Sequence, residues 1–198
     1  MGQRSIAVAC LALLALAACG DDTGATLVAV EPVATGGTST TTSTTTTVAV
    51  TLPNPENPPE DPRAPEPLVA VGTIEIPRIG VTKSMYEGIT LTTLDHGPGH
   101  WPGTAMPGQQ GNVVVAGHRV SHDKPFRNID QLEPGDDVIF TTDDGRFVYK
   151  VTGTEVVYPD AMWIVDQTAE YTATLFACTP PGSTRQRIVI HLAYAPNG

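Results

Sequence analysis

The chain has 198 residues, with 21 acidic against 11 basic side chains and a formal net charge of −10. That balance excludes a nucleic-acid binder, which needs clustered Lys and Arg to neutralise phosphates. The length, once the low-complexity N-terminal third is set aside, suits a single core and not two.

Arg4 precedes an apolar run from Ile6 to Ala18, followed by Cys19-Gly20-Asp21-Asp22. A basic residue, a short apolar stretch and small residues at its end describe an export signal. Thirteen apolar residues are too few to cross about 30 Å of hydrocarbon, which takes about 20. Leu16-Ala17-Ala18-Cys19 resembles the lipobox of bacterial lipoproteins. The resemblance implies a signal peptide over residues 1–18, cleavage before Cys19 and lipidation of its sulfur. A plain secretory signal with a chance cysteine is the alternative. Either way the product is extracytoplasmic; the lipobox reading anchors it to the outer face of the bacterial cell membrane, held by several acyl chains because one alone binds marginally.

Residues 19–67 read as a disordered tether. A Thr/Ser/Gly run from Thr35 to Thr47 is followed by Pro53, Pro55, Pro58, Pro59, Pro62, Pro65 and Pro67. Such a segment buries too little apolar surface to offset its ordering entropy. The proline-rich half is semi-rigid at about 3.1 Å per residue, so the reach is on the order of 100 Å.

From residue 68 to 198 the composition is globular and the pattern is all-β. Strands are expected at Gly72–Ile76, Val81–Tyr86, Asn112–Gly117, Asp137–Thr141, Arg146–Val157, Thr172–Ala177 and Arg187–Tyr194. Pro77, Gly108 with Gly111, Pro134-Gly135, Asp143-Asp144-Gly145 and Pro180-Pro181-Gly182 separate them. Asp144-Gly145 between two strands marks a hairpin. Short helical turns are expected at Thr90–Leu94, Phe126–Leu132 and Trp163–Gln167. Seven or eight short strands at this spacing suggest a closed or nearly closed barrel.

Of three cysteines, Cys10 lies inside the export segment and Cys19 at its end, which leaves Cys178 alone in the globular part. It has no partner there for a disulfide, so it is an inert small hydrophobe or a nucleophile. The Pro180–Gly182 turn and then Arg185 and Arg187 follow it, and cationic neighbours favour a thiolate. If that turn joins adjacent strands, Cys178 and Arg187 share one end of the sheet, where a guanidinium can stabilise an oxyanion. Arg187 as a surface ion pair is the alternative. The base is sought among five histidines. His118 ends the apolar run Val113-Val114-Val115-Ala116-Gly117 and is presented at a strand terminus. His96 and His100 fall in a Gly/Pro loop, where His100 is a second candidate. His122 lies in a polar loop and reads as solvated.

Thr174-Leu175 before Cys178, with Arg187-Ile188-Val189-Ile190 nine residues after it, resembles the signature strand pair of sortases. Ala116-Gly117-His118-Arg119 resembles their histidine strand. Gly97–Gly108 and Pro125-Phe126-Arg127-Asn128-Ile129 resemble actinobacterial sortases of classes E and F. The resemblance runs from Ile74 to Tyr194 and implies an eight-stranded sortase-like β-barrel with short helices. It also implies a cysteine transpeptidase with Cys178 as nucleophile, His118 as acid/base and Arg187 as substrate and oxyanion ligand. His100, Thr174, Ala177 and Arg185 are candidate substrate contacts.

The family cuts a Leu-Pro-x-Thr-Gly or Leu-Ala-x-Thr-Gly sorting signal on surface proteins between Thr and Gly. It passes the acyl group to an amine of a cell-wall precursor or pilin, with no metal or organic cofactor. One departure is Ala177, where the family has a hydroxyl residue before the cysteine. Another is a lipid anchor in place of a transmembrane helix.

An L,D-transpeptidase carries its His and Cys close together, whereas sixty residues separate His118 from Cys178. A papain-like protease places its cysteine at a helix N-terminus, not after a strand. A non-catalytic envelope-binding lipoprotein with a degenerate sortase fold is favoured only by Ala177.

Overall fold

The computed structural model describes residues 51–196. Cys19, the export segment and the Thr-rich part of the tether lie outside the described residues. Eight strands form the domain: β1 (Ala70–Ile76), β2 (Val81–Glu87), β3 (Gly99–His100), β4 (Gly111–Ala116), β5 (Asp137–Thr142), β6 (Gly145–Val157), β7 (Tyr171–Thr179) and β8 (Gln186–Tyr194). They close into a barrel in the order β1-β2-β3-β4-β7-β8-β6-β5, with β5 pairing back onto β1. The seven expected strands are all present, most of them longer by a residue or two. The two-residue β3 adds the eighth; it is too short to show a period.

Alternation along the strands sorts the chain into an inside and an outside. Ile74 and Ile76 of β1, Val113 and Val115 of β4, Phe140 of β5, and Ile188, Ile190 and Leu192 of β8 point into one buried cluster. β4 is buried at every position. Its other face, through Val114, meets Trp101, Ile164, Val165 and Val189 in a second apolar layer outside the barrel. Burial on both faces explains why this strand reads as an unbroken apolar run. The 3₁₀ turn Met162–Val165 supplies that cover.

β4 and β7 run parallel, with Ala116 opposite Phe176. Parallel neighbours need a long crossover, and here it contains the β5–β6 hairpin and the Met162–Val165 turn. Residues far apart in sequence therefore end side by side at one rim. α1 (Leu91–Leu94), with Thr90 accepting the Thr93 N–H as its N-cap, stands beside that rim.

Residues 51–67, expected as the end of a disordered tether, carry no strand or helix and lie along the domain. Glu56 donates its N–H to the Pro102 carbonyl (2.9 Å) and accepts from the Trp101 indole (2.8 Å). The Leu91 N–H donates to the Pro62 carbonyl (2.7 Å). Glu66 accepts from the hydroxyls of Thr90 (2.8 Å) and Thr93 (2.7 Å). Gly103 has φ +76, and a Cβ there would stand 2.2 Å from the Asn54 carbonyl oxygen. Backbone bonds and a glycine-permitted approach, not apolar burial, hold this segment, which is why composition gave no sign of it.

Candidate active site

β7 and β8 form an antiparallel hairpin in which Cys178 is directly opposite Arg187. Ala177 and Ile188, one step back, face the barrel core, so Cys178 and Arg187 project from its outer surface at the rim. The parallel partner β4 ends at Ala116, and the Gly117 N–H still donates to the Phe176 carbonyl (3.2 Å). His118 and Cys178 each follow two residues beyond the Ala116–Phe176 pair. All three side chains line a groove of about 280 Å³. Gly117 makes this close approach possible: a Cβ there would lie 2.5 Å from the buried Phe126 ring.

The groove is apolar along its length, with Ile89, Leu94, Trp101, Ile164 and Phe176 on its walls and Tyr158 and Met162 at its edge. Pro58 and Pro62 line it from the N-terminal side. Arg187 donates through Nη1 to the carbonyls of Thr184 (2.9 Å) and Gln186 (3.1 Å). Among the described residues no carboxylate pairs with it, so its charge is not neutralised. Beneath the rim, buried Arg119 joins the end of β4 to the end of β7. Its guanidinium donates to Thr179 Oγ1 (3.0 Å) and to Asp130 Oδ1 (2.6 Å).

His118 is oriented by Asp95, whose Oδ1 accepts from His118 Nε2 at 3.0 Å. The same oxygen lies 3.1 Å from His122 Nδ1, and the two imidazoles stack with centroids 5.6 Å apart. Arg63 donates to the other oxygen, Oδ2, at 3.2 Å. Burial alone would raise the Asp95 pKa, but the bonds from His118 and Arg63, aided by the His122 and Arg63 charges, hold it below the usual carboxylate value. Asp95 caps the C-terminal end of α1, its N–H bonding to the Leu91 carbonyl. It lies 23 positions from His118, and no sequence spacing connects them.

The family model described as Sortase domain matches residues 74–194. The chain belongs to the sortase family. It is 34% identical over 141 residues to sortase SrtE1 of Streptomyces coelicolor, covering 63% of this chain and 40% of that protein. It is 31% identical over 131 residues to sortase D of Bacillus subtilis, covering 64% of this chain and 65% of that one. The chain thus spans less than two thirds of the length of either relative. Among solved structures, a Clostridium perfringens Sortase D5 transpeptidase matches with a TM-score of 0.59 at 34% identity, over 64% of this chain and 79% of that one. A lid mutant of sortase A from Corynebacterium diphtheriae gives 0.63 at 26% identity, over 70% and 76%.

Within this sortase, Ala177 borders the Cys178 groove, its methyl packed into the barrel core. The other three candidate substrate contacts do not. His100 is 2% exposed; Nδ1 bonds Glu87 (2.8 Å), and Nε2 lies 3.0 Å from the Ala105 carbonyl. It organises its own loop from inside. Thr174 is buried four residues before Cys178, donates to Asn112 Oδ1 (3.0 Å), and lines a separate hollow with His191. Arg185 is exposed on the β7–β8 turn, away from the groove. Sequence reasoning missed Asp95, which became visible only when the Asp95 loop and the His118 loop met in space; His122 is exposed, as expected, and the structure adds its approach to Asp95.

Proposed function

We propose that this sortase is an exported cysteine transpeptidase. On this reading it cleaves a Leu-Pro-x-Thr-Gly or Leu-Ala-x-Thr-Gly signal between Thr and Gly and transfers the acyl group to a cell-wall or pilin amine. The observation that carries the reading is the cross-strand pairing of Cys178 with an un-neutralised Arg187, in an apolar groove shared with His118. The groove's walls suit the leucine and the proline or alanine of an extended signal peptide. The Cys178 thiolate attacks the threonine carbonyl carbon, and Arg187 stabilises the resulting oxyanion. Collapse breaks the Thr–Gly bond; His118 delivers a proton to the departing glycine nitrogen and leaves a thioester on Cys178. An incoming amine attacks that thioester, His118 takes its extra proton, and the Cys178 thiolate is released with His118 protonated for the next cycle. Water competes slowly as acceptor. Asp95 keeps the His118 ring in one orientation throughout.

The export segment and Cys19 place the enzyme, on this reading, outside the cell membrane on a lipid anchor. Among the described residues no helix is long and apolar enough to cross a membrane. A panel of peptides varying the second signal residue, supplied with an amine acceptor, tests the proposal. Amine-capped products cut after threonine are expected with Pro or Ala at that position. Absence of cleavage across the whole panel overturns it.

A further inference from the structure

Asp95, His118 and His122 come from two separate loops and present one ligand atom each, all three within 4.8 Å of one another. Two of these separations, 3.0 Å and 3.1 Å from Asp95 Oδ1 to the two ring nitrogens, are close to what a metal requires. Bonds of about 2.0–2.2 Å in a tetrahedron set ligand atoms about 3.3–3.6 Å apart. Small side-chain shifts bring the three ligand atoms to that spacing around an ion. Two imidazoles and one carboxylate are a donor set for zinc-type cations, with the fourth position left to solvent. His118 is mostly shielded and His122 is half exposed, so the entry side is open to solution.

The surroundings fit a cation. Arg63 bonds Asp95 through Oδ2 and leaves Oδ1 to face the rings. It thereby orients the carboxylate as an outer partner does at a metal centre. Its charge opposes a cation, but its side chain is 64% exposed and the repulsion is screened. Lys83 is neutralised by Asp123 at 2.8 Å, and Arg119, next to His118 in the chain, by Asp130. Asp123 adjoins His122 in the chain.

We infer that Asp95, His118 and His122 form an inhibitory site for a divalent transition-metal ion of the zinc type. The ion bonds to Asp95 Oδ1, His118 Nε2 and His122 Nδ1. The proton each ring nitrogen now shares with Oδ1 moves to the ring's other nitrogen or to solvent. His118 is then fixed by a bond to the metal and no longer exchanges protons with a substrate. The metal is a reversible brake and not a cofactor. Inhibition, though not binding, rests on the proposed role of His118.

Calorimetric titration of the metal-free full chain with zinc chloride tests the site, alongside cobalt(II) absorption. One ion per protein is expected, with affinity unchanged in Cys178→Ala and no sulfur-to-cobalt charge-transfer band. His122→Gln and Asp95→Asn, checked for folding by circular dichroism, are expected to weaken binding by at least about tenfold. Zinc is expected to slow peptide cleavage, with recovery on adding EDTA. His122→Gln, compared with its own zinc-free rate, needs at least about tenfold more zinc for the same inhibition. Loss of binding in Cys178→Ala, a sulfur charge-transfer band, or undiminished binding in His122→Gln overturns the inference. Failure of peptide cleavage would count against the transpeptidase reading alone, because calorimetry does not depend on turnover.

Discussion

Arg187 spends its hydrogen bonds on the carbonyls of Thr184 and Gln186, which fix the guanidinium without cancelling its charge. That separates it from a surface ion pair, whose charge is already matched and screened. If it stabilises the oxyanion, Arg187→Ala lowers kcat by about 10²–10³-fold, measured on a signal peptide at saturating amine. Arg187→Lys recovers only part, since a point charge replaces a planar fork. Thr174 makes the opposite case. Its hydroxyl serves the buried Asn112 side chain, which also bonds the carbonyls of Ile164 and Asp166. Thr174→Val therefore costs about 1–3 kcal/mol in urea unfolding, the penalty for an unpaired buried acceptor, with little change in kcat/KM. A large loss of kcat/KM at unchanged stability would return Thr174 to the substrate.

At the scale of elements, the site depends on how β4 ends. Gly117 lets the chain pass against Phe126, while Arg119 ties it to Thr179, next to Cys178. Gly117→Ala places a methyl carbon inside the Phe126 contact. Overpacking of this kind costs about 1–3 kcal/mol and displaces His118. The expected result is a lower Tm together with a fall in kcat greater than the stability loss explains. The strand pair β7–β8 was legible because Cys178 and Arg187 flank a Pro-Pro-Gly turn and Arg187 alternates with the inward-facing Ile188 and Ile190. His118 was legible because a strand buried on both faces has to end at a rim. Asp95 was not, since its partnership with His118 arises from two loops meeting, and loops carry no period. The bonding of Glu56, Pro62 and Glu66 to the domain escaped for the same reason: it runs through backbone carbonyls and one carboxylate.

For the whole molecule, barrel closure was legible as a count of short strands, but its order was not. The parallel neighbours β4 and β7 follow from a crossover of more than fifty residues, which no local pattern encodes. Closure buries Tyr149 completely, with its hydroxyl accepting from the Gly108 N–H at 3.1 Å. Burial pushes its pKa up, the Gly108 bond offsets part of that, and Tyr194 and Tyr171 nearby add to the rise. A phenol whose pKa is raised in the fold gives stability that is fully present below its unfolded value, about 10, and that is lost as pH rises through the folded value. The barrel should therefore lose stability above about pH 10, and Tyr149→Phe should lack that part of the decline in alkaline unfolding curves.

On the proposed mechanism Cys178, His118 and Arg187 act together on one peptide carbonyl at the rim this topology creates. Intact-mass spectrometry of the enzyme mixed with a Leu-Pro-x-Thr-Gly peptide, quenched in acid before an amine is added, tests it most directly. An adduct on Cys178 with the mass of the peptide through threonine is expected. It should be absent in Cys178→Ala, strongly reduced in His118→Ala and Arg187→Ala, and discharged by amine. Cleavage that persists in Cys178→Ala, or a wild-type enzyme that never acquires the adduct with any signal peptide, would contradict it.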